Sequence, residues 1–186
     1  MRKKILLTGG AGFIGVNLAA ELLKNKDNFV VVYDNLSRPG VEDNLAWLRK
    51  QKFPNFQFIR VDIRDFKKLK QVVSDSREIY HLAAQVAVTR SVTDPIEDFE
   101  INAAGTLYLL EATRLKSPGA VFVFASTNKV YGELGHLKLK ETQTRYIFTG
   151  KQKGVAETEN LNFHSPYGNS KGAADQYVRD YHRIYG

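Results

Sequence analysis

Residues 8–15 read Thr-Gly-Gly-Ala-Gly-Phe-Ile-Gly, directly after the apolar run Ile5-Leu6-Leu7. A strand that ends in a glycine-rich turn and opens at once into a helix is a device for binding a dinucleotide pyrophosphate. In it, Gly9 permits the tight turn, Gly12 lets the backbone approach the phosphates, and Gly15 lets the helix pack close to the strand. The diphosphate then meets unpaired N–H groups at a helix N-terminus, where the macrodipole favours negative charge. Glycine-rich turns also arise for φ > 0 alone, so the rest of the chain must supply the other parts of such a site.

Working outward, strand and helix signals alternate, which predicts βαβ units and a doubly wound parallel sheet of the α/β class. Strands are predicted over 3–8, 29–33, 56–61, 78–82 and 120–125, the last as a buried strand. Helices are predicted over 13–24, 42–50, 65–74 and 167–185, the last with Tyr177, Val178, Tyr181 and Ile184 as its apolar stripe. Asp94-Pro95 starts a long helix to about residue 115, with Ile96, Phe99, Ala103, Leu107 and Leu110 facing inward. Residues 132–164 are polar with little periodicity. The whole reads as one nucleotide-binding domain, 1–186, interrupted by a long polar insert over 133–164. A sixth strand and a substrate domain are expected beyond Gly186.

Composition narrows the class. With 186 residues, 43% hydrophobic and 25% charged, one α/β domain with a sizeable core is within reach. No cysteine is present, so disulfide and thiolate chemistry are excluded and a reducing, cytoplasmic setting is expected. The apolar run before Thr8 is too short for a signal peptide and no later run can span a bilayer, so no membrane association is predicted. The formal charge is +7, but the positives are scattered. Lys67, Lys68 and Lys70 alternate with Phe66 and Leu69 as a solvated helix face would, so no nucleic-acid partner is predicted. His81, His136, His164 and His182 show no metal-ligand spacing, so no metal site is predicted.

Asp34 closes the second apolar run, roughly 20 residues beyond the turn, where a carboxylate can accept hydrogen bonds from an adenosine ribose and repel a 2′-phosphate. That favours NAD over NADP; the alternative is that Asp34-Asn35 simply opens a turn, and Arg38 nearby could accommodate a 2′-phosphate. Asp62 can reach an adenine amino group while Ile63 packs on the ring, or Asp62 can cap the next helix. After the fourth strand, Leu82-Ala83-Ala84 leave room for a ligand. Tyr167 and Lys171, four apart, project from one helix face. An ordinary tyrosine is a poor base at neutral pH, and a neighbouring ammonium favours its phenolate. Behind a strand ending in Ser126-Thr127, that pair reads as a hydride-transfer site, with Thr127 donating to the substrate oxygen that Tyr167 deprotonates.

These motifs, with INAAGT at 101–106, STNKVYG at 126–132 and YGNSK at 167–171, stand in the order and rough spacing of the extended short-chain dehydrogenase/reductase family, which the chain resembles along its whole length. Within that family the likeness is greatest to the CDP-tyvelose (CDP-paratose) 2-epimerases, which carry runs like STNKVYG and HSPYGxSKGAADQY and a long polar insert matched by 133–164. The resemblance implies a Rossmann fold, NAD and a nucleotide-sugar substrate. It implies that Phe13 and Ile14 lie over the pyrophosphate turn and that Asp34, Asn35 and Ser37 hold the adenosine ribose. Asp62 and Ile63 would contact adenine, Leu82, Ala83, Ala84 and Gln85 would line the middle of the cofactor, and Asn102 would support the active-site side. Asn102 can equally be a helix asparagine satisfied by backbone groups. Thr127, Tyr167 and Lys171 would be catalytic, with Ser126 behind Thr127. Dehydratases of this family follow that threonine with Asp-Glu, an acid and a base for dehydration; here Asn128-Lys129 offers no carboxylate. The implied reaction is therefore C2 epimerisation of CDP-paratose by transient oxidation and hydride return. Another nucleotide-sugar epimerase or dehydrogenase, or an NAD-binding module without turnover, stays open. Family likeness also implies a homodimer through helices 95–115 and 167–185.

Overall fold

The apolar runs at 5–7 and 30–33 are buried on both sides, as a parallel sheet between two helical layers requires. The computed structural model describes residues 2–150 and 154–186. Strands β1 (Lys3–Thr8), β2 (Asn28–Asp34), β3 (Phe56–Arg60), β4 (Glu78–His81) and β5 (Val121–Phe124) form one sheet in the order β3-β2-β1-β4-β5, every pair parallel. The order reverses beside β1, so the crevice outside its C-terminal end is the topological switch point where α/β sheets bind ligands. Register places Thr8 opposite Tyr33 on one side and His81 on the other.

Alternation along β1 divides the core. Ile5 and Leu7 pack with Val16, Ala19 and Leu23 of α1 (Phe13–Leu23) and with Leu48 of α2 (Val41–Lys50). Leu6 packs on the other face with Leu69, Val72 and Val73 of α3 (Phe66–Val73) and with Leu109 and Ala112 of α6 (Gly105–Lys116). A short helix α4 (Val88–Thr93), not foreseen in the sequence, precedes α5 (Pro95–Phe99). Asp94 caps α5, its Oδ1 accepting from the Glu97 N–H at 3.0 Å, with Pro95 in the first turn. Helix α7 (Ser165–Tyr185) closes the described chain and packs against α4, α5 and α6.

Three expectations need correction. Between α5 and α6 the backbone winds as a π-helical segment, Glu100–Ala104. A π-turn slips the helix by about one residue, roughly 100° of rotation. Ile96 and Phe99, predicted inward in phase with Ala103 and Leu110, are consequently 72% and 57% exposed, whereas Ala103 and Leu110 are buried. Strand β5 is the edge of the sheet rather than a buried strand: Phe122 packs on the core, but Val121 and Val123 on the opposite face are exposed. On α7, Tyr177 and Ile184 of the predicted stripe are also exposed. Within the polar insert, β6 (Leu139–Glu141) and β7 (Tyr146–Phe148) pair antiparallel; its residues 151–153 lie outside the described residues. Among the described residues, no helix is long and apolar enough to cross a membrane.

Candidate active site

At the switch point lies a cleft of about 320 Å³. Of the residues singled out for the cofactor, Gly9, Gly12, Asp34, Asn35, Ser37, Asp62, Ile63, Leu82, Ala83, Ala84 and Gln85 line it. Gly9 is fixed by a hydrogen bond from its N–H to the Tyr33 carbonyl (2.9 Å) and adopts φ +68°, and a Cβ there would stand 2.5 Å from the Ala83 nitrogen. Gly15 allows close approach, though against the turn itself: its Cβ would fall 2.5 Å from the Gly10 Cα and the Gly9 oxygen. Gly12 is the N-cap of α1 and faces the cleft, where a Cβ would meet only the Gly9 oxygen, at 3.2 Å. The first-turn N–H groups of α1 have no intrahelical acceptor. A side chain at position 12 would fill the space in front of them, so this cradle fits a diphosphate. Phe13 and Ile14 bring backbone N–H groups to this turn, but their side chains are 79% and 66% exposed and do not line the cleft.

Asp34 opens the turn after β2 and also faces the cleft. Its Oδ2 accepts from the Ala11 N–H (3.1 Å) and its Oδ1 from the Leu36 N–H (2.8 Å), tying the glycine turn to the loop after β2. Each oxygen keeps a lone pair for the cleft. Asp62 is not the cap of α3; Asp65 is, accepting from the Lys68 N–H at 2.9 Å. Asp62 instead accepts from the Arg64 backbone and guanidinium and from Asn35 Nδ2 (2.9 Å). Those bonds, above all from Arg64, hold its carboxyl down at about 2 against the opposing effect of burial. The sequence reading missed Val86, Ala87 and Arg90 on the far rim, because α4 carries no strong helix signal, and it missed Glu97 and Ile101, which lie on the predicted long helix.

Beneath the cleft runs a buried polar network. Thr106 Oγ1 donates to the Asn102 carbonyl (2.6 Å), so its single hydrogen is spent and it must accept from His81 Nε2 (2.8 Å). His81 Nδ1 then accepts from Thr8 Oγ1 (2.6 Å), and the Ala83 N–H reaches the same oxygen at 3.4 Å. Burial first, and the Lys171 charge second, push the His81 imidazole down to about 3, so it is neutral in this fixed tautomer. Asn102 is buried behind the cleft rather than lining it: its Oδ1 accepts from the Gln85 N–H (3.0 Å), and its Nδ2 donates to the Gln85 carbonyl (3.0 Å), Asp98 (3.1 Å) and Ser170 (3.2 Å).

Helix α7 delivers Tyr167 and Lys171 beside the C-terminal end of β5. The Tyr167 N–H donates to Ser91 Oγ (3.1 Å), holding the start of α7 on α4, and its side chain is half-buried. Lys171 is buried, donates from Nζ to the Ala125 carbonyl (2.7 Å), and sits 4.0 Å from the Phe124 ring centroid. Burial lowers its ammonium to about 8, with Asp175 and then Asp98 holding it up, so the charge survives at neutral pH. Two residues past Ala125, Thr127 Oγ1 accepts from the Lys129 N–H (3.3 Å), capping the 3₁₀ turn Asn128–Tyr131 and keeping its own hydrogen for another acceptor. Ser126 is exposed. Sequence reasoning overlooked Asp98 and Ser170; the signal was there, in Asp98 standing four residues before Asn102 and Ser170 adjoining Lys171.

Residues 6–186 match the model of the GDP-mannose 4,6 dehydratase family. The chain is 48% identical, over 98% of its length, to the CDP-paratose 2-epimerase of Salmonella typhi, and 34% identical, again over 98%, to the dTDP-glucose 4,6-dehydratase of Salmonella typhimurium. It covers 54% and 51% of those proteins, so it spans about half the length of the curated relatives it matches. Among solved structures, a Thermus thermophilus UDP-glucose 4-epimerase complex with NAD superposes with a TM-score of 0.76 at 34% identity, over 98% of this chain and 52% of that one. The sheet order, the glycine cradle and these matches agree: the chain belongs to the NAD-dependent epimerase/dehydratase family of extended short-chain dehydrogenases/reductases.

Proposed function

We propose that the protein is an NAD-dependent nucleotide-sugar epimerase that inverts C2 of CDP-paratose to give CDP-tyvelose, and that this chain is its cofactor-binding and acid–base part. The observation that carries the reading is the pairing of a switch-point cleft, lined by eleven of the residues singled out for the cofactor, with a Tyr167–Lys171 helix start and no carboxylate directly after Thr127. The 48% identity to a CDP-paratose 2-epimerase favours position C2 and that nucleotide. NAD bound in the cleft supplies the hydride acceptor and donor. Its diphosphate fits the start of α1, its adenosine ribose the spare lone pairs of Asp34 with Asn35 and Ser37, and its adenine the wall of Asp62 and Ile63.

The side chains do the rest. Tyr167 takes the proton of the sugar hydroxyl during oxidation and returns it after the hydride has come back on the other face. Lys171, charged at neutral pH, favours the Tyr167 phenolate and has further N–H donors for the nicotinamide ribose. Thr127 donates its free hydrogen to the same sugar oxygen. Epimerisation needs nothing more, whereas dehydration needs the acid and base that Asn128 and Lys129 cannot supply. The exposed apolar side chains Ile96, Phe99, Tyr177 and Ile184 on α5 and α7 support a homodimer through these helices.

The test is Tyr167→Phe in the full-length protein. Turnover of CDP-paratose should fall by at least roughly 10²-fold while NAD affinity, followed by calorimetry, stays unchanged. Persistent turnover removes the base assignment. Conversion of a UDP-hexose at C4 but not of CDP-paratose at C2 removes the substrate assignment, and net consumption of NAD would mark a dehydrogenase.

A further inference from the structure

Asp98 on α5 is fully buried, and nothing in the chemistry above uses it. Three donors converge on its carboxylate: Gln85 Nε2 (2.8 Å) and Asn102 Nδ2 (3.1 Å) on Oδ1, and Ser170 Oγ on Oδ2. The amide nitrogens can only donate, and the amide oxygens are taken, Gln85 Oε1 by the Ala87 N–H and Asn102 Oδ1 by the Gln85 N–H. Oδ1 is therefore cast as an acceptor, and Oδ2 accepts too when Ser170 Oγ gives it the hydrogen that could otherwise go to the Tyr167 carbonyl (3.2 Å). Burial raises its pKa; the donors, Ser170 first, and the Lys171 charge oppose this. Among the described residues no Lys or Arg nitrogen pairs with it directly. A buried carboxylate needs an answering charge, and Lys171 adjoins its partner Ser170 in the chain and is likewise buried.

We propose that Asp98 is a positioning residue of the active site: through Ser170 and Gln85 it pins the helix bearing Tyr167 and Lys171 to the floor of the cofactor cleft, and it supplies a buried counter-charge to the Lys171 ammonium. Its importance for catalysis rests on the role given to Lys171 above. The ionisable groups about Lys171 are few. Asp98 comes from α5, Asp175 and Tyr167 from α7, and neutral His81 from β4, while β5 presents only the Phe124 ring and the Ala125 carbonyl. Elsewhere around α7, Arg90 and Lys129 are exposed, Tyr131 is half-buried, Glu100 pairs with Arg64, and Glu111 pairs with Arg114. Asp175 raises Lys171 more strongly than Asp98 does, but it is only partly buried, so salt screens it.

That difference gives the experiment. The Lys171 ammonium is titrated by ¹⁵N NMR in the full-length protein, without added cofactor or sugar, its resonance assigned by its loss in Lys171→Met. Asp98→Asn, which keeps the shape, should lower the midpoint on the order of one pH unit. The shift should persist in 1 M salt, where the Debye length is about 3 Å. An unchanged midpoint, or a shift that salt abolishes, overturns the proposal. If Asp98→Asn does not fold, the unsubstituted chain decides: the ¹³C carboxyl resonance of Asp98 should be that of an ionised group at pH 7, and a protonated one overturns the proposal. Neither readout involves NAD or a sugar, so failure here leaves the epimerase reading standing, and failure of the Tyr167→Phe test leaves this one standing.

Discussion

At the scale of single residues, His81 carries a measurable cost. Its imidazole stays neutral down to about 3 when buried, against an ordinary value of 6.5. Below pH 6.5 the unfolded chain binds a proton there that the folded chain refuses. The contribution is thus fully present above pH 6.5 and is lost as the pH falls toward 3. Two pH units into that window it amounts to about 2–3 kcal/mol. Urea midpoints at pH 7 and about pH 4.5 should lie further apart in the parent than in His81→Gln. Gly15 makes a second test: a methyl group 2.5 Å from the Gly10 Cα and the Gly9 oxygen has only backbone to push against. Gly15→Ala should therefore destabilise by roughly 1–3 kcal/mol in thermal melts and weaken dinucleotide binding as the turn shifts. The glycines, Asp34, Tyr167 and Lys171 stood out in the sequence because the proposed chemistry needs those residue types at fixed spacing. Asp98 and Ser170 were not, because their significance depends on α5 meeting α7, a contact that no local pattern encodes.

Among elements, the inner strands declared themselves because a strand covered on both faces is apolar at nearly every position. The edge strand misled for the same reason: Val121-Phe122-Val123-Phe124 has that composition, yet only one of its faces is covered in this chain. Substitution separates the two faces. Val123→Thr, on the open one, should change the stability of this chain by no more than about 0.5 kcal/mol. Leu109→Ala, on the α6 face where the side chain is fully buried, should cost about 2–5 kcal/mol. Denaturant unfolding of both variants checks the contrast. Helix α4 escaped notice because a six-residue helix has too few turns to show a period.

For the molecule as a whole, the parallel sheet and the location of the cleft followed from β–α alternation and one glycine motif, whereas the outer surface did not. The proposed dimer uses that surface, and Phe99→Asp should shift the protein from dimer to monomer in sedimentation velocity while far-UV circular dichroism is unchanged. The π-helical segment at 100–104 is what makes such a variant tolerable. Without the slip, one continuous stripe would have to satisfy both the sheet and whatever lies outside. With it, the long helix works like a camshaft with two lobes set at different angles on one axle. Residues after the slip answer to the interior, while the exposed Ile96 and Phe99 before it can acquire new neighbours without disturbing either that lobe or the inward-facing Asp98.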